Sequence, residues 1–403
     1  MKTYHSNAES VLGLPANSYI YNITSSVVQQ DIRSQSFPIL SGSDYLVVIS
    51  SDDSIRSLDP ERLKTVNVIK NAHKSITSIK RYAHPGSQCN SFMTCGRDGI
   101  VRGWDMRSGN KVVELSVPSS EPLSALDCNA EMQAVVAGTE LEGNAPGDVS
   151  IFGWDMRMPG NIKMKYEESH NDTVTELRFL PAVGETNTLL LSAGTDGMVN
   201  IFNTAFIEED EALFQVIKSA SALQHAGMID GDIFTLGTDE TLAFYAFQNP
   251  DLDTKDPAPC SLGDVREQFS CEYVVNMYQA GSKPYLAVGN HTEKWLDLIR
   301  FKNKTSDPTD TRKWKAKSSE GSKIRLSGGH GEELVRDVLI TDGAKVVYTC
   351  GEDGAVRVWK GQGDDDDDVE MGGTSRVGKK RKGDRHENRH EKNEKRSKSG
   401  PSG

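Results

Sequence analysis

No stretch of this chain approaches the roughly 18 consecutive apolar residues of a membrane-crossing helix. The first twenty residues also lack the apolar centre of a secretory leader, holding polar, charged and prolyl positions instead. Both absences lead to the expectation of an intracellular protein. Cysteine is scarce: Cys89, Cys95, Cys128, Cys260, Cys271 and Cys350 show no CxxC spacing. That excludes the common zinc and redox motifs and leaves reduced, structural thiols as the expectation. Helical periodicity is missing too. Apolar residues come in runs of about five to eight, punctuated by Gly and Asp, which reads as strands and turns rather than a helical solenoid. No G-x-S-x-G elbow presents a nucleophile.

What the chain has is length and divided charge. Its 403 residues exceed the roughly 250 to 300 at which one ordinary core stops growing, so several domains or an additive repeat are required. The net charge of −12 hides a local +7 between Arg376 and Lys398, which leaves −19 elsewhere.

One phrase recurs seven times: an apolar strand, a small residue, an acid-bearing turn, and a second apolar strand ending in an aromatic ring. TCGRDGIVRGWD from Thr94 and TCGEDGAVRVWK from Thr349 are the clearest copies, and SAGTDGMVNIFN from Ser192 keeps their spacing. TLGTDETLAFYA from Thr235, SSDDSIRSLD from Ser50, AGTELEGNAPGDVSIFGWD from Ala137 and VGNHTEKWLDLIRF from Val288 are weaker. The markers Ser50, Gly96, Gly138, Gly194, Gly237, Gly289 and Gly351 lie 42 to 62 residues apart. Units of three or four strands cannot bury both faces alone, so they must stack, and a ring removes the exposed ends of the stack.

The last copy ends at Trp359 and runs almost at once into Asp364–Asp368, leaving no room for a fourth strand. The β-prone run Tyr19, Ile20, Tyr21, Ile23 and Thr24 is therefore expected to pair with Val356–Lys360 and close the ring.

The recurring polar residues resemble the hydrogen-bonded tetrad of the WD40 family over residues 19 to 360. His73, Thr94, Asp98 and Trp104 form one set, and His330, Thr349, Asp353 and Trp359 another. His170, Ser192, Asp196 and Phe202 form a third without the indole donor, expected to be weaker. The resemblance implies an all-β, seven-bladed WD40 β-propeller with an N-terminal strand closing the last blade. It also implies a non-enzymatic scaffold for protein partners, monomeric within a complex. The expected organisation is an extension over 1–18, the propeller over 19–360 and a disordered acidic-then-basic tail over 361–403. A hydrolase triad is the rival for His, Ser or Thr, and Asp, but the set repeats in separate blades with its hydroxyl inside a strand. No cofactor or metal is expected.

Two blades end in W-D-x-R, at Trp104–Arg107 and Trp154–Arg157. This resembles the paired motif of substrate receptors on cullin 4 ubiquitin ligases, in which Arg107 and Arg157 would contact the adaptor; the plainer reading is a solvated turn. Arg97, Thr195, Thr238 and Glu352, beside the hairpin turns, are the candidate partner-binding residues. In the tail, the H-E-x-x-H of His386–His390 lacks an apolar face and a third ligand, so it is read as accidental. Lys379, Lys380, Arg381 and Lys382 read as a nuclear localisation signal, which puts the chain in the nucleus or nucleolus, with the cytoplasm as the alternative. Their contact with RNA phosphates would be weak and salt-dependent, since no aromatic residues are interleaved. Whether 307–323 is ordered is left open.

Overall fold

The structure is a computed structural model, describing residues 1–27, 40, 43–84, 89–118, 120–143, 149–181, 188–248, 258–303, 314–319 and 321–361. Met1–Gln362 form one compact unit, and the second, Gly363–Gly403, lies outside the described residues. So do Lys379, Lys380, Arg381, Lys382 and the H-E-x-x-H of the tail.

Each marker lies at the end of the second strand of an antiparallel sheet or one residue before it, and the hairpin that follows turns into the third. Five sheets have four strands each, running 20–69, 76–116, 123–166, 174–218 and 223–264; these are blades 1 to 5. Blade 6 runs from Tyr273 to Ser327 and blade 7 from Val335 to Lys360. The segment 307–323 is ordered where it is described, with Trp314–Ala316 paired to the long strand Trp295–Asn303.

Seven apolar clusters occupy the seven interfaces of a closed ring, from Val47, Ile49 and Phe92 between blades 1 and 2 to Ile20, Val48 and Val356 between blades 1 and 7. An open stack of seven blades would have only six. The fold is therefore a seven-bladed all-β propeller in which every blade buries both faces against neighbours.

The closing strand is not the expected one. Ile20–Ser25 pairs with Leu46–Ser50 as the innermost strand of blade 1, and Ile20 is fully buried there. Lys2–Ser10 closes the ring instead, with His5–Ser10 antiparallel to Val356–Lys360. At its start, Lys2–Tyr4 runs parallel to Ile324–Leu326, so one strand joins the outer edges of blades 6 and 7. Tyr4 is buried and donates its hydroxyl to the Ala344 carbonyl at 2.8 Å, and burial raises its pKa to about 12. The physical reason is demand: blade 1 needs Ile20 and Ile23 against its neighbours, whereas an outermost strand needs few apolar residues.

A second regularity binds blades laterally. Every innermost strand carries a β-bulge near its start, at Tyr21, Thr77, Ser124, Thr175, Gln224, Val275 and Arg336. A bulge re-aims its side chain. Three of these hydroxyls accordingly donate across to the next blade: Thr77 to the Leu123 carbonyl at 2.8 Å, Ser124 to Val174 at 2.6 Å and Thr175 to Leu223 at 3.0 Å. Elsewhere an acceptor reaches the next blade, as Asp53 takes the Ile76 N–H at 2.8 Å, Glu240 that of Val274 at 2.9 Å, Tyr273 Oη that of Val335 at 3.1 Å and Asp337 that of Ile23 at 3.0 Å.

Candidate functional site

The hairpins between second and third strands are placed by a buried proton chain. In blade 7 the Trp359 indole donates to Thr349 Oγ1 at 2.9 Å, the hydroxyl meets His330 Nε2 at 2.7 Å, and His330 Nδ1 meets Asp353 at 2.7 Å. Burial lowers the His330 pKa, against the Asp353 carboxylate, so the ring is neutral with its proton on Nδ1. Blade 2 repeats the chain through Trp104, Thr94, His73 and Asp98 at 2.8, 2.7 and 3.0 Å. Burial works to raise the Asp98 pKa, but His73 and Arg102 bring it down to about 2. In blade 4 His170 joins Ser192 at 2.7 Å and Asp196 at 3.0 Å, Phe202 supplies no donor, and Asn200 donates towards His170 Nε2 at 3.2 Å. Hydroxyls inside strands, each already bonded to a histidine, hold turns.

The marker glycines belong to the same device. A Cβ at Gly96, Gly194 or Gly351 would stand 2.9 Å from the imidazole of its own blade, so only glycine leaves room for the ring. The weaker copies become intelligible from this position. Ser221 stands against Gly237 in blade 5, bonded to Thr241 Oγ1 at 2.9 Å, and the Tyr273 ring stands against Gly289 in blade 6. Blade 1 has Ser50 as its marker, where Arg56 binds Asp52 at 2.9 Å and Ser50 at 3.1 Å. Ser221, Tyr273 and Arg56 were missed in the sequence, because the signal is the marker's neighbour rather than a fixed residue type.

With the turns fixed, the residue after the marker occupies one repeated position in blades 2, 4, 5 and 7, and in blade 3 the residue two after Gly138 takes it. The backbone N–H groups of Arg97, Glu140, Thr195, Thr238 and Glu352 all bond a carbonyl just before the innermost strand, at Ser75, Pro122, Thr173, Ala222 and Leu334, at 2.8 to 2.9 Å. The structure thus brings Arg97, Thr195, Thr238 and Glu352 to one face of the ring and adds Glu140 to them. Arg97 spans to blade 3, its guanidinium donating to Glu140 at 2.5 and 3.0 Å, while Glu352 accepts from Arg336.

Arg107 and Arg157 follow the third strands of adjacent blades, at the ends away from these hairpins. Their side chains are 72% and 64% exposed, and each pairs within its own turn, Arg107 with Asp105 and Arg157 with Asp155. The innermost strands contribute a charged cluster. Glu176 meets His225 at 2.8 Å, Arg178 at 3.1 Å and Lys80 at 3.7 Å. Burial would raise its carboxyl, but Arg178, the His225 hydrogen bond and Lys80 hold it well below the usual range. Asp127, half-buried, is raised by desolvation and accepts the Phe179 N–H at 2.6 Å.

Among the described residues no group of three or more His, Cys, Asp or Glu side chains could hold a metal ion. All six cysteines are free, and burial pushes the Cys95 thiol up to about 12 and those of Cys128 and Cys350 well above their ordinary value. Among the described residues no helix is long and apolar enough to cross a membrane.

Fold and tetrads together define a closed propeller of repeated His–hydroxyl–Asp units. The family described as "WD domain, G-beta repeat" matches residues 63–105 and 321–360, which hold the two full tetrads. The chain is 31% identical over 313 residues to the WD repeat-containing protein YNL035C of Saccharomyces cerevisiae, covering 77% of this chain and 74% of that protein. It is 27% identical to the WD repeat-containing protein C63.06 of Schizosaccharomyces pombe, with 79% and 92% covered. It is 22% identical to the WD repeat-containing protein 89 homolog of Dictyostelium discoideum, with 50% and 49% covered. The chain belongs to the WD40-repeat family, whose propellers generally mediate protein interactions.

Proposed function

We propose that the chain is a non-enzymatic docking platform whose partners bind the hairpin face. The observation that carries this reading is the repeated position of Arg97, Glu140, Thr195, Thr238 and Glu352, which sets cationic, anionic and hydroxyl side chains on equivalent, rigidly bonded backbones. Such a surface can be read by a protein partner while the sheets behind it stay fixed. The test is quantitative affinity purification of the full chain against a variant carrying Arg97→Glu and Glu352→Lys, with Val66→Lys on an outer strand as control. Partners lost only with the hairpin changes support the reading; an unchanged partner set refutes it.

The proposed setting is a nuclear or nucleolar assembly, on the strength of Lys379, Lys380, Arg381 and Lys382. A fluorescent fusion with all four changed to Ala should leave the nucleus, and undiminished nuclear signal would remove the assignment. A second reading, substrate receptor of a cullin 4 ligase, is favoured by the equivalent, exposed placement of Arg107 and Arg157 in adjacent blades. Loss of adaptor capture by the double Ala variant supports it, and full capture removes it.

A further inference from the structure

Blade 4 carries the densest exposed apolar surface of the described chain. Phe206, Ile207, Leu213 and Val216 are four of its eleven exposed large hydrophobics and fall within eleven consecutive positions. The loop bearing Phe206 and Ile207 is pinned to blade 3 by two contacts. Tyr166 donates its hydroxyl to the Phe206 carbonyl at 3.1 Å, its ring stacked on Phe202 at 4.6 Å, and the Glu209 carboxylate accepts the backbone N–H groups of Glu167 and Glu168.

This pinning leaves two adjoining hollows over the outer strand Ile162–Tyr166 of blade 3. One, of about 270 Å³, is largely apolar, lined by Val136, Trp154, Met164, Phe179 and Ala205. Its floor is open because residue 153 is glycine, where a Cβ would stand 2.6 Å from Met164 Cγ. The second, of about 470 Å³, shares Lys163 and Met164 with the first and is rimmed by Glu167, Glu168, Glu208, Glu209 and Asp210. Lys165 on this rim is already paired with Glu167 and lies over the Phe152 ring. Among the described residues, Glu168, Glu208 and Asp210 form no ion pair in the structure.

We propose that this continuous groove between blades 3 and 4 docks a basic peptide segment of a protein partner, with one bulky apolar side chain in the apolar hollow and Lys or Arg residues against the acidic rim. The two hollows fix the occupant's chemistry together. An acidic or purely hydrophilic segment would leave the apolar hollow empty or meet like charge on the rim, and a nucleic acid would bring its phosphates against five carboxylates. The inference rests on the docking reading above but uses a different surface, away from Arg97 and Glu352.

The test is selection of phage-displayed random peptides on the immobilised full-length protein, followed by fluorescence anisotropy of the selected peptides. Two variants probe the hollows separately: Ala205→Trp fills the apolar one, and Glu208→Gln with Asp210→Asn removes rim charge. All three positions are exposed, and unchanged melting would establish that the ring is intact. The expected result is enrichment of peptides pairing a bulky apolar residue with Lys or Arg, with each variant weakening binding by roughly tenfold or more. Raising salt should weaken the rim contribution further. No enrichment, enrichment of acidic peptides, or binding within about twofold for both variants would overturn the proposal. If partners are still lost on changing Arg97 and Glu352, only the groove assignment fails.

Discussion

Arg357 of the last blade holds Glu9 of the amino-terminal strand at 2.9 Å, while another nitrogen of the same guanidinium binds Asp353 of the blade 7 tetrad. One side chain therefore couples ring closure to the hairpin that the tetrad supports. Tyr4 anchors the other end of the closing strand through Ala344.

Removing Met1–Ser10 should therefore lower the melting temperature of the whole propeller. The deletion strips the Val356–Lys360 edge of its partner and uncovers apolar surface that Tyr4 and Ala8 shield in the flanking cores. Circular dichroism on heating measures it, and an unchanged transition would show that Lys2–Ser10 contributes nothing to closure.

Thr94→Val and Thr349→Val should each destabilise the fold by about 1 to 3 kcal/mol, because both the indole N–H and the imidazole lose a buried partner. Ser192→Ala should cost less. Phe202 has no donor to orphan, and Asn200 still donates to His170. Urea denaturation of the three variants gives the order, and an equal or larger loss at Ser192 would contradict this account of the tetrads.

Stability should fall as the solution is acidified, in two stages. Burial depresses the His330 pKa, so below about 6.5 the unfolded chain takes up a proton that the folded imidazole resists, and the native state loses ground. Asp98 acts lower. Its folded pKa of about 2 lies under the unfolded value, so its contribution is full above about 4 and disappears as pH drops towards 2. Melting temperatures across this range test both stages, and a His330→Asn variant should flatten the upper one.

Replacing Arg107 and Arg157 together with Ala should leave the denaturation midpoint essentially where it is, since both are exposed and paired only within their own turns. A large loss in chemical denaturation would mean that these arginines support the ring itself.

The strong repeats were legible because glycine, hydroxyl, aspartate and indole must recur wherever a buried imidazole is to be accommodated. The spacing from Thr94 to Trp104 and from Thr349 to Trp359 carried that requirement openly. Blades 5 and 6 were faint because Ser221 and Tyr273 occupy the histidine's place, and no single residue type signals them. The closing strand was misplaced for a related reason. KTYHSNAES has Tyr4 as its one buried large residue, and an outermost strand takes its conformation from a partner's open edge more than from its own propensity. Ile20–Ser25 looked the better candidate because it is β-prone, but that quality serves the interior of blade 1. The groove between blades 3 and 4 could not be read at all, since it depends on Phe206 and Glu209 reaching across from another blade.

The strand that joins blades 6 and 7 has a consequence for how the protein is made. Lys2–Ser10 leaves the ribosome before the blade strands it will join and Val356–Lys360 after the rest of the ring, with 348 positions separating Glu9 from Arg357. Until the outer edges of blades 6 and 7 have been made, that segment has no place to settle, and the blades assembled in the meantime stand in an arc with two raw ends. Sealing the circle is thus a late event of very high sequence separation, slow by its nature, and the interval before it is when a chaperone or an assembly partner has the most to hold.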